Sequence, residues 1–416
     1  MTSITALRGF KDILPKEIPP WIRLEEKARD LARRYGYQEI RPPVLERTSL
    51  FARGIGEATD IVEKEMYTLS ERGGDLITLR PEATAGVTRA VIEHNLLESG
   101  KAVKLFSIGP MFRYERPQKG RFRQFHQLDV EVYGDPGPYV DAEVIAFLWD
   151  FLTELGLKDL TVDVNSLGCE DCRKIFRENF VAYFQGQEQD LCPDCQRRLS
   201  RNPLRLFDCK NSQCQELLQG APKISEYLCN PCQEHFASVK ETLHYLNLTL
   251  TVNPFLVRGL DYYTRTAFEV KSGSLGAQNA VAGGGRYDGL VKNLGGPDAP
   301  GIGFAVGLER LAMLLPESEL SSFTPDAYLA LLSQSAILHG FRLTQYLRTK
   351  GVSVMVDWEA GSLKSRLKRA DKFKARKVLI LGEDELLQKE LLIRDLTTGE
   401  QKKLPLEDLE NLANAI

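Results

Sequence analysis

The chain has 416 residues, 43% hydrophobic and 27% charged, with a formal net charge of −3. That length exceeds one ordinary core and predicts two or three domains, and the composition excludes a disordered chain. The near-neutral balance gives no global attraction for nucleic acid, so any RNA contact has to come from local basic surfaces.

The N-terminal stretch Met1 to Arg8 has neither an apolar leader core nor transit character, and a cytoplasmic protein is the expectation. The longest apolar runs, such as Val378-Leu379-Ile380-Leu381, are strand-sized and too short to cross a bilayer. From Glu17 to about Tyr35 the pattern predicts an amphipathic helix opened by Ile18-Pro19-Pro20. Gly36-Tyr37 ends it, and Gln38 to Val44 is extended because Pro42 and Pro43 each disfavour helix before them. A helical stretch runs from Thr84 to about Leu97. Two strand-like segments follow, Val103 to Ile108 and Met111 to Glu115, then the polar loop Arg116-Pro117-Gln118-Lys119-Gly120-Arg121.

Phe125 to Tyr133 alternates. Leu128, Val130 and Val132 share one face, Gln127, Asp129 and Glu131 the other. A second face carrying two acids and an amide suits the wall of a polar cleft. The ordinary alternative is a solvent-facing sheet surface, the commoner case for an isolated strand. Tyr139 to Leu157 predicts a helix with Val140, Val144, Leu148, Phe151 and Leu155 on one side.

From about Gly168 to Phe236 the alternation of helices and strands breaks, and this segment reads as an insertion. It holds all eight cysteines of the chain, in the pairs Cys169/Cys172, Cys192/Cys195, Cys209/Cys214 and Cys229/Cys232. Without an export signal, such clustering points to metal before disulfides. Four pairs at knuckle-like spacing furnish up to two four-thiolate sites, which suit structural zinc and would fix a segment with few large apolar residues. The alternative is reduced cysteines filling small core spaces.

Strand-like pieces resume at Leu248 to Val252 and Thr266 to Val270. A glycine-rich turn is expected at Gly283-Gly284-Gly285-Arg286, then a strand and helix from Gly301 through Leu315. The polar stretch Pro316 to Pro325 ends a domain. Beyond it the pattern is strand (Ala327 to Leu332), helix (Ala336 to Thr349), strand (Val352 to Val356), helix (Ser362 to Phe373) and strand (Lys377 to Leu381), a small separate α/β domain. Its second helix carries the basic run Lys364 to Lys374, in most proteins a solvated helix face.

Three arginine-bearing segments are candidates for chemistry: Phe112-Arg113-Tyr114-Glu115 with its loop to Arg121, Leu256 to Thr264 around Arg258, and Gly301 to Arg310. The chain lacks a Gly-x-x-x-x-Gly-Lys-Ser/Thr loop and a Gly-x-Gly-x-x-Gly segment between strand and helix. A nucleotide would therefore be held by guanidinium forks. Taken singly, each arginine is a surface or salt-bridge residue by default.

Together, these segments resemble the signature motifs of class II aminoacyl-tRNA synthetases. Arg41-Pro42-Pro43-Val44-Leu45-Glu46 is similar to motif 1, which builds that family's dimer interface. Phe112 through Glu131 is similar to motif 2 and Gly303 through Arg310 to motif 3. Arg258-Gly259-Leu260-Asp261-Tyr262-Tyr263 and Gly284-Gly285-Arg286-Tyr287-Asp288-Gly289 resemble the histidyl branch, as do Arg8-Gly9-Phe10-Lys11-Asp12 and Leu79-Arg80-Pro81-Glu82-Ala83-Thr84. The resemblance runs along nearly the whole chain.

It implies an α/β fold with an α+β catalytic core: an antiparallel-sheet class II synthetase core over residues 1–325, a helical, cysteine-rich insertion at about 168–236, and a C-terminal α/β anticodon-binding domain over 326–416. It also implies a homodimer that takes L-histidine, ATP with Mg²⁺, and tRNA(His). Arg113 would grip the α-phosphate, Glu115 the adenine amino group, and Arg121 and Arg310 the distal phosphates, with Phe125 stacking on the base. Arg258 would sit between the histidine carboxylate and the α-phosphate. Glu82, Thr84 and Gln127 would receive the α-ammonium group, Glu131 and Tyr263 would bracket the imidazole with Tyr262 nearby, and Ala83, Arg113 and Arg258 would complete the histidine site. In that setting phosphate contact becomes the better reading of the basic run. A synthetase-like regulatory subunit of histidine biosynthesis shares the core but typically lacks the anticodon domain and parts of the histidyl segments, both of which this chain has. A zinc-dependent RNA-binding protein with a dead nucleotide site would explain the cysteines but not three intact arginine segments.

Overall fold

In the computed structural model, which describes residues 4–56, 59–98, 100–118, 120–273, 280–315 and 324–416, the alternating strand Gln124–Tyr133 lies inside an eight-stranded sheet. The strand order is Gln38–Glu39, Val103–Phe112, Gln124–Tyr133, Gly301–Gly307, Ala280–Arg286, Thr264–Ser272, Leu160–Ser166, Leu250–Val252. The six central strands are mutually antiparallel, and the short strand at each edge is parallel to its neighbour. The chain folds as two compact units, Met1–Leu320 and Ser321–Ile416. Most of the polar stretch expected to end a domain, 316–323, lies outside the described residues.

One face of the large sheet is covered by the helices Ile18–Arg34, Pro138–Glu154 and Asn230–Tyr245. Leu24, Leu31, Val144, Phe147, Phe151, Val239 and Leu243 close there over Leu128, Val130, Val132 and Phe304. The opposite face is not solvated either. Gln127, Asp129 and Glu131 are 9%, 1% and 2% exposed, so the solvent-facing alternative is excluded and the polar residues of this strand are enclosed.

Three expectations are corrected. The two strands foreseen around Pro110 are one, Val103–Phe112, paired without a break to Gln124–Tyr133. Proline is tolerated because its carbonyl, and hence its amide edge, faces Arg80 and not a neighbouring strand, so no ladder bond is lost. The expected glycine-rich turn at Gly283 to Arg286 is an interior strand, Ala280–Arg286, paired on both sides. Glycine is required there by close approach. A Cβ on Gly284 would fall 2.7 Å from Phe304 Cα, and one on Gly283 would fall 2.5 Å from the Arg258 guanidinium. Finally, the insertion is not short of large apolar residues. Its helices Glu170–Tyr183, Pro193–Arg201 and Ser212–Gln219 bury Phe176, Phe180, Phe184, Leu199 and Leu218 in a core continuous with Tyr262, Tyr263 and Tyr287. The phenylalanines recur at every fourth position, the spacing of one helix face.

The second unit is a five-stranded sheet in the order Val354–Val356, Ala327–Leu331, Lys377–Leu381, Glu390–Asp395, Gln401–Pro405. The first three strands are parallel, and the unforeseen last two extend the sheet antiparallel. In the basic run on helix Leu363–Lys372, Arg366 turns inward and donates to Asp357 Oδ2 at 2.8 Å. Lys364, Lys368 and Lys372 stay exposed.

Close packing at Gly284 yields a stability prediction. Gly284→Ala forces Cβ into the backbone of the Gly301–Gly307 strand, and an overpacked core position costs about 2–3 kcal/mol. Thermal unfolding should show a lower midpoint for the first unit. An unchanged midpoint contradicts the interior placement of this strand.

Candidate active site

Beyond the end of strand Val103–Phe112, the backbone carries Arg113 and Glu115 into a cleft of about 220 Å³. Arg121 and Phe125 line it from the same hairpin, and Arg310 from the helix Leu308–Ala312 opposite. All five residues expected to hold a nucleotide thus share one cavity. Arg121 Nη2 donates to Glu115 Oε1 at 3.0 Å, Arg113 Nε to Pro81 O at 2.9 Å, and Arg310 Nη1 to Ala280 O at 2.8 Å. The Arg113 guanidinium lies 5.3 Å from the centre of the Phe125 ring. Burial, followed by the facing charge of Arg121, holds the Arg310 guanidinium below its ordinary pKa. Two converging cations in a partly dry cleft favour a polyanion. Glu309 is fixed in the same wall by accepting His126 N–H at 2.9 Å and 3.0 Å.

Gln127 lines this cleft and shares a strand face with Asp129 and Glu131, so a buried acidic pocket lies beside the cleft. Glu82 is held at the start of helix Thr84–Glu93, accepting from Thr84 N at 2.8 Å and Ala85 N at 2.9 Å across the buried Ala83. Thr84 Oγ1 donates to Glu131 Oε1 at 2.6 Å, and the Tyr287 hydroxyl donates to Glu131 Oε2. Gly303 sits opposite Glu131 in the antiparallel ladder, where any Cβ would strike the carboxylate. Tyr262 packs 4.6 Å from Tyr263 and 5.6 Å from Tyr287, ring centre to ring centre. Gln127 Oε1 and Asp129 Oδ2 are buried without a hydrogen-bond partner among the described residues. The pocket thus presents acceptors awaiting donors, as a cationic amine and an N–H-bearing ring would supply.

Arg258 comes from the irregular segment between strands Leu250–Val252 and Thr264–Ser272. It donates to Glu269 Oε2 at 3.1 Å and lies against Gly283, two residues along the strand from the cleft-lining Val281. The expected site residues therefore fall into neighbouring groups: Arg113, Glu115, Arg121, Phe125, Gln127 and Arg310 line the cleft, while Glu82, Thr84, Glu131, Tyr262 and Tyr263 are enclosed beside it. Sequence reasoning assigned no role to Tyr287, which holds Glu131, or to Asp129, whose charge adds to the pocket. Tyr287 had one signal, its place in the Gly284 to Gly289 segment. The neighbouring Arg286 is structural: fully buried, it donates to Asp141 Oδ1 and Asp288 Oδ1, each at 2.8 Å, and Asp141 Oδ2 meets His235 Nε2 at 2.8 Å.

The eight cysteines, all reduced, form two clusters by an interleaving that pairing in sequence did not specify. The first pair joins the fourth (Cys169, Cys172, Cys229, Cys232) and the second joins the third (Cys192, Cys195, Cys209, Cys214). Within each cluster the four sulfurs lie within 4.8 Å of one another. Each cluster could hold a metal ion.

An antiparallel sheet walled by arginines on a nucleotide-sized cleft, with a separate α/β unit behind it in the chain, is the architecture of a class II aminoacyl-tRNA synthetase. The family model described as Histidyl-tRNA synthetase matches residues 9–177 and 208–311, and that described as Anticodon binding domain matches 327–415. The chain is 49% identical over 405 residues to the histidine--tRNA ligase of Trichlorobacter lovleyi, spanning 97% of this chain and 96% of that one. It is 50% identical over 405 residues to the enzyme of the same name from Desulfosudis oleivorans, with the same coverage. The crystal structure of apo S. aureus histidyl-tRNA synthetase matches with a TM-score of 0.84 at 35% identity, covering 99% of this chain and all of that one. The chain belongs to the histidyl-tRNA synthetase family. No helix among the described residues is long and apolar enough to cross a membrane.

The acidic pocket has a measurable cost. Burial, then the charge of Glu82, pushes the Asp129 carboxyl well above the ordinary range, against the opposing charges of Arg80 and Arg113. Burial also raises Glu131, although Thr84 and Tyr287 donate to it. A raised carboxyl binds its proton more tightly in the folded state. It therefore takes away stability as pH climbs from the ordinary value near 4 through the raised one. Asp129→Asn removes that loss. The variant should melt a few degrees above the unaltered protein at pH 8, the gap closing towards pH 4. A variant that melts lower at pH 8 would show that the Asp129 charge is compensated.

Proposed function

We propose that this protein activates L-histidine with ATP and transfers it to the 3′ end of tRNA(His). The observation that carries the reading is the enclosed acids beside the arginine-lined cleft: Gln127 lines the cleft and shares a strand face with Asp129 and Glu131, and the Arg113 charge bears on Glu82. Full-length relatives named histidine--tRNA ligase support it.

ATP enters as its Mg²⁺ complex, a substrate. Arg113 grips the α-phosphate, Arg121 and Arg310 the distal phosphates, Glu115 accepts from the adenine amino group, and Phe125 stacks on the base. For Glu115 and Phe125 to do so, each releases its present neighbour, Arg121 and Arg113 respectively. Glu82, Thr84 and Gln127 receive the α-ammonium group beside Ala83. Glu131 and Tyr263 take the imidazole nitrogens, with Tyr262 closing the wall. The histidine carboxylate oxygen attacks the α-phosphorus, and the bond to the pyrophosphate leaving group breaks. Two anions must approach for this, and a fixed Arg258 between them offsets the repulsion. In the second step a terminal ribose hydroxyl of the tRNA attacks the carbonyl carbon, and AMP leaves.

Residues 1–325 form the catalytic domain in this reading and 326–416 the anticodon-binding domain, with Lys364, Lys368 and Lys372 available to phosphates. The exposed apolar side chains of Val44 and Leu45 support a homodimer through that segment. The two cysteine clusters are structural zinc centres that touch no substrate.

Glu131→Gln tests the assignment. A buried charged hydrogen bond to a ring N–H is lost, and kcat/KM for histidine in tRNA charging should fall about 10- to 100-fold. ATP binding should be little changed. Near-normal histidine use by this variant removes Glu131 from the pocket.

A further inference from the structure

The segment that carries Arg258, Tyr262 and Tyr263 has no ladder to hold it. Between Val252 and Thr264 the chain forms neither helix nor strand. Its own backbone bonds are few: Asn253 N to Val164 O at 2.9 Å, Leu256 N to Asn253 O at 3.0 Å and Asp261 N to Ile55 O at 3.1 Å, and Asn165 of the sheet donates to Leu256 O at 2.9 Å. Beyond Ile55 and the sheet, contacts to its far half come from the cysteine-rich insertion, from Arg173, Asn202 and Arg205.

At the first cluster, Gly168 O, next to Cys169, accepts Arg265 N at 2.9 Å, and Leu167 N donates to Arg265 O at 2.6 Å. Arg173, next to Cys172, donates to Tyr263 O at 3.1 Å. At the second cluster, helix Pro193–Arg201 starts at Cys192, contains Cys195 and ends at Asn202, whose amide donates to Asp261 Oδ1 at 2.7 Å. Arg205 Nη1 reaches Arg258 O at 3.5 Å and is steadied by Asp208, next to Cys209, at 3.4 Å. The carbonyls of Arg258 and Tyr263 are thus each taken by an arginine whose position depends on a cluster.

The clusters themselves fit a cation. Around an ion with bonds of about 2.3 Å, tetrahedral thiolates stand about 3.8 Å apart. The measured separations are 3.6 Å for Cys169–Cys172, 3.9 Å for Cys169–Cys229 and 3.8 Å for Cys192–Cys209. Pairwise contact alone would also suit packed thiols. Four sulfurs within 4.8 Å of one another also match the ligand set of a single ion, whose charge would offset the repulsion among four thiolates. Backbone N–H groups also point at three of the sulfurs: Cys229 N at Cys172 Sγ (3.1 Å), Cys192 N at Cys214 Sγ (3.2 Å) and Asn211 N at Cys209 Sγ (3.4 Å). The family match leaves residues 178–207 uncovered, so Cys192 and Cys195 lie outside what it assigns.

We infer that the two zinc-filled clusters act as a clasp that sets the position of the Arg258–Tyr263 segment, so that zinc occupancy governs the rate of histidine activation. The inference rests on the reading of both clusters as zinc centres and of the cavity as a histidine-activating site. Arg173, Asn202 and Arg205 are its positioning residues. They touch the segment and not the substrates.

The test uses the full chain purified without an affinity tag, with Arg173→Ala, Asn202→Ala and Arg173→Lys beside it. Metal analysis should find two zinc ions per chain, one for each cluster, in the unaltered protein and in all three variants. In the two alanine variants, kcat for histidine-dependent pyrophosphate exchange should fall about tenfold or more with KM for ATP unchanged. Deuterium uptake over residues 256–263 should rise, and Arg173→Lys, which keeps a donor, should recover much of both. Full zinc with unaltered kcat and uptake in the alanine variants overturns the clasp and leaves the zinc centres standing. Zinc lost from Arg173→Ala also overturns it, since the arginine then serves the cluster and not the segment. Less than a tenth of an equivalent of zinc in the unaltered protein removes the centres and the clasp together. Absence of exchange in the unaltered protein contradicts the histidine-activating reading, and a rise in deuterium uptake would then support only the mechanical part.

Discussion

Three carboxyl groups, Glu82, Asp129 and Glu131, are enclosed together, and much of the first unit is arranged around that fact. Burial raises all three, and the charges of Glu82 and Asp129 bear on their neighbours. Groups placed so are stable only where donors and cations surround them. Helix Thr84–Glu93 begins where its first free N–H groups can cap Glu82. Gly303 is glycine because Glu131 occupies the space of its Cβ. Arg80, turned inward to the carbonyls of Pro42 and Pro110, supplies positive charge from one side, and Arg113 supplies it from the nucleotide side. In the proposed reading the residual deficit of donors is the specificity device, since a ligand bearing an ammonium group and a ring N–H would satisfy acceptors such as Gln127 Oε1 and Asp129 Oδ2.

The parts of this design that depend on local pattern were legible in the sequence. Alternation from Phe125 to Tyr133 put Gln127, Asp129 and Glu131 on one face, and the structure keeps them there. The helix at Ile18–Arg34 and the βαβ pattern of the second unit follow from periodicity in the same way. Position in the sheet was not legible. Gly283 to Arg286 has the composition of a turn, and only the approach of Arg258 and Phe304 explains why a strand needs glycines there. Pro110 looked like a strand break because the sequence does not reveal that its amide edge faces Arg80. Tyr287 is brought to Glu131 from 156 residues away by sheet order, which no local signal encodes. The cysteine pairs were evident, but their interleaving depends on how the insertion's helices fold back.

The two sides of the cavity are stabilised by opposite means. The arginine-lined cleft keeps its guanidinium groups on backbone carbonyls and on Glu115, partners that phosphate oxygens would replace in the proposed reaction. The acidic pocket is held rigid by short hydrogen bonds and by tyrosines packed edge to face. Arg258 belongs to neither wall. It is carried on an irregular segment, braced by Glu269 of the sheet and by Arg205 of the insertion.

The central claim is that the acidic pocket selects histidine for attack on ATP in the adjoining cleft. Exchange of labelled pyrophosphate into ATP, measured with each of the twenty amino acids in turn, tests it most directly. The account predicts exchange that depends on histidine and is negligible with the other nineteen. No exchange with histidine, from protein that is folded and binds ATP, would contradict it and point to a regulatory protein built on the same fold.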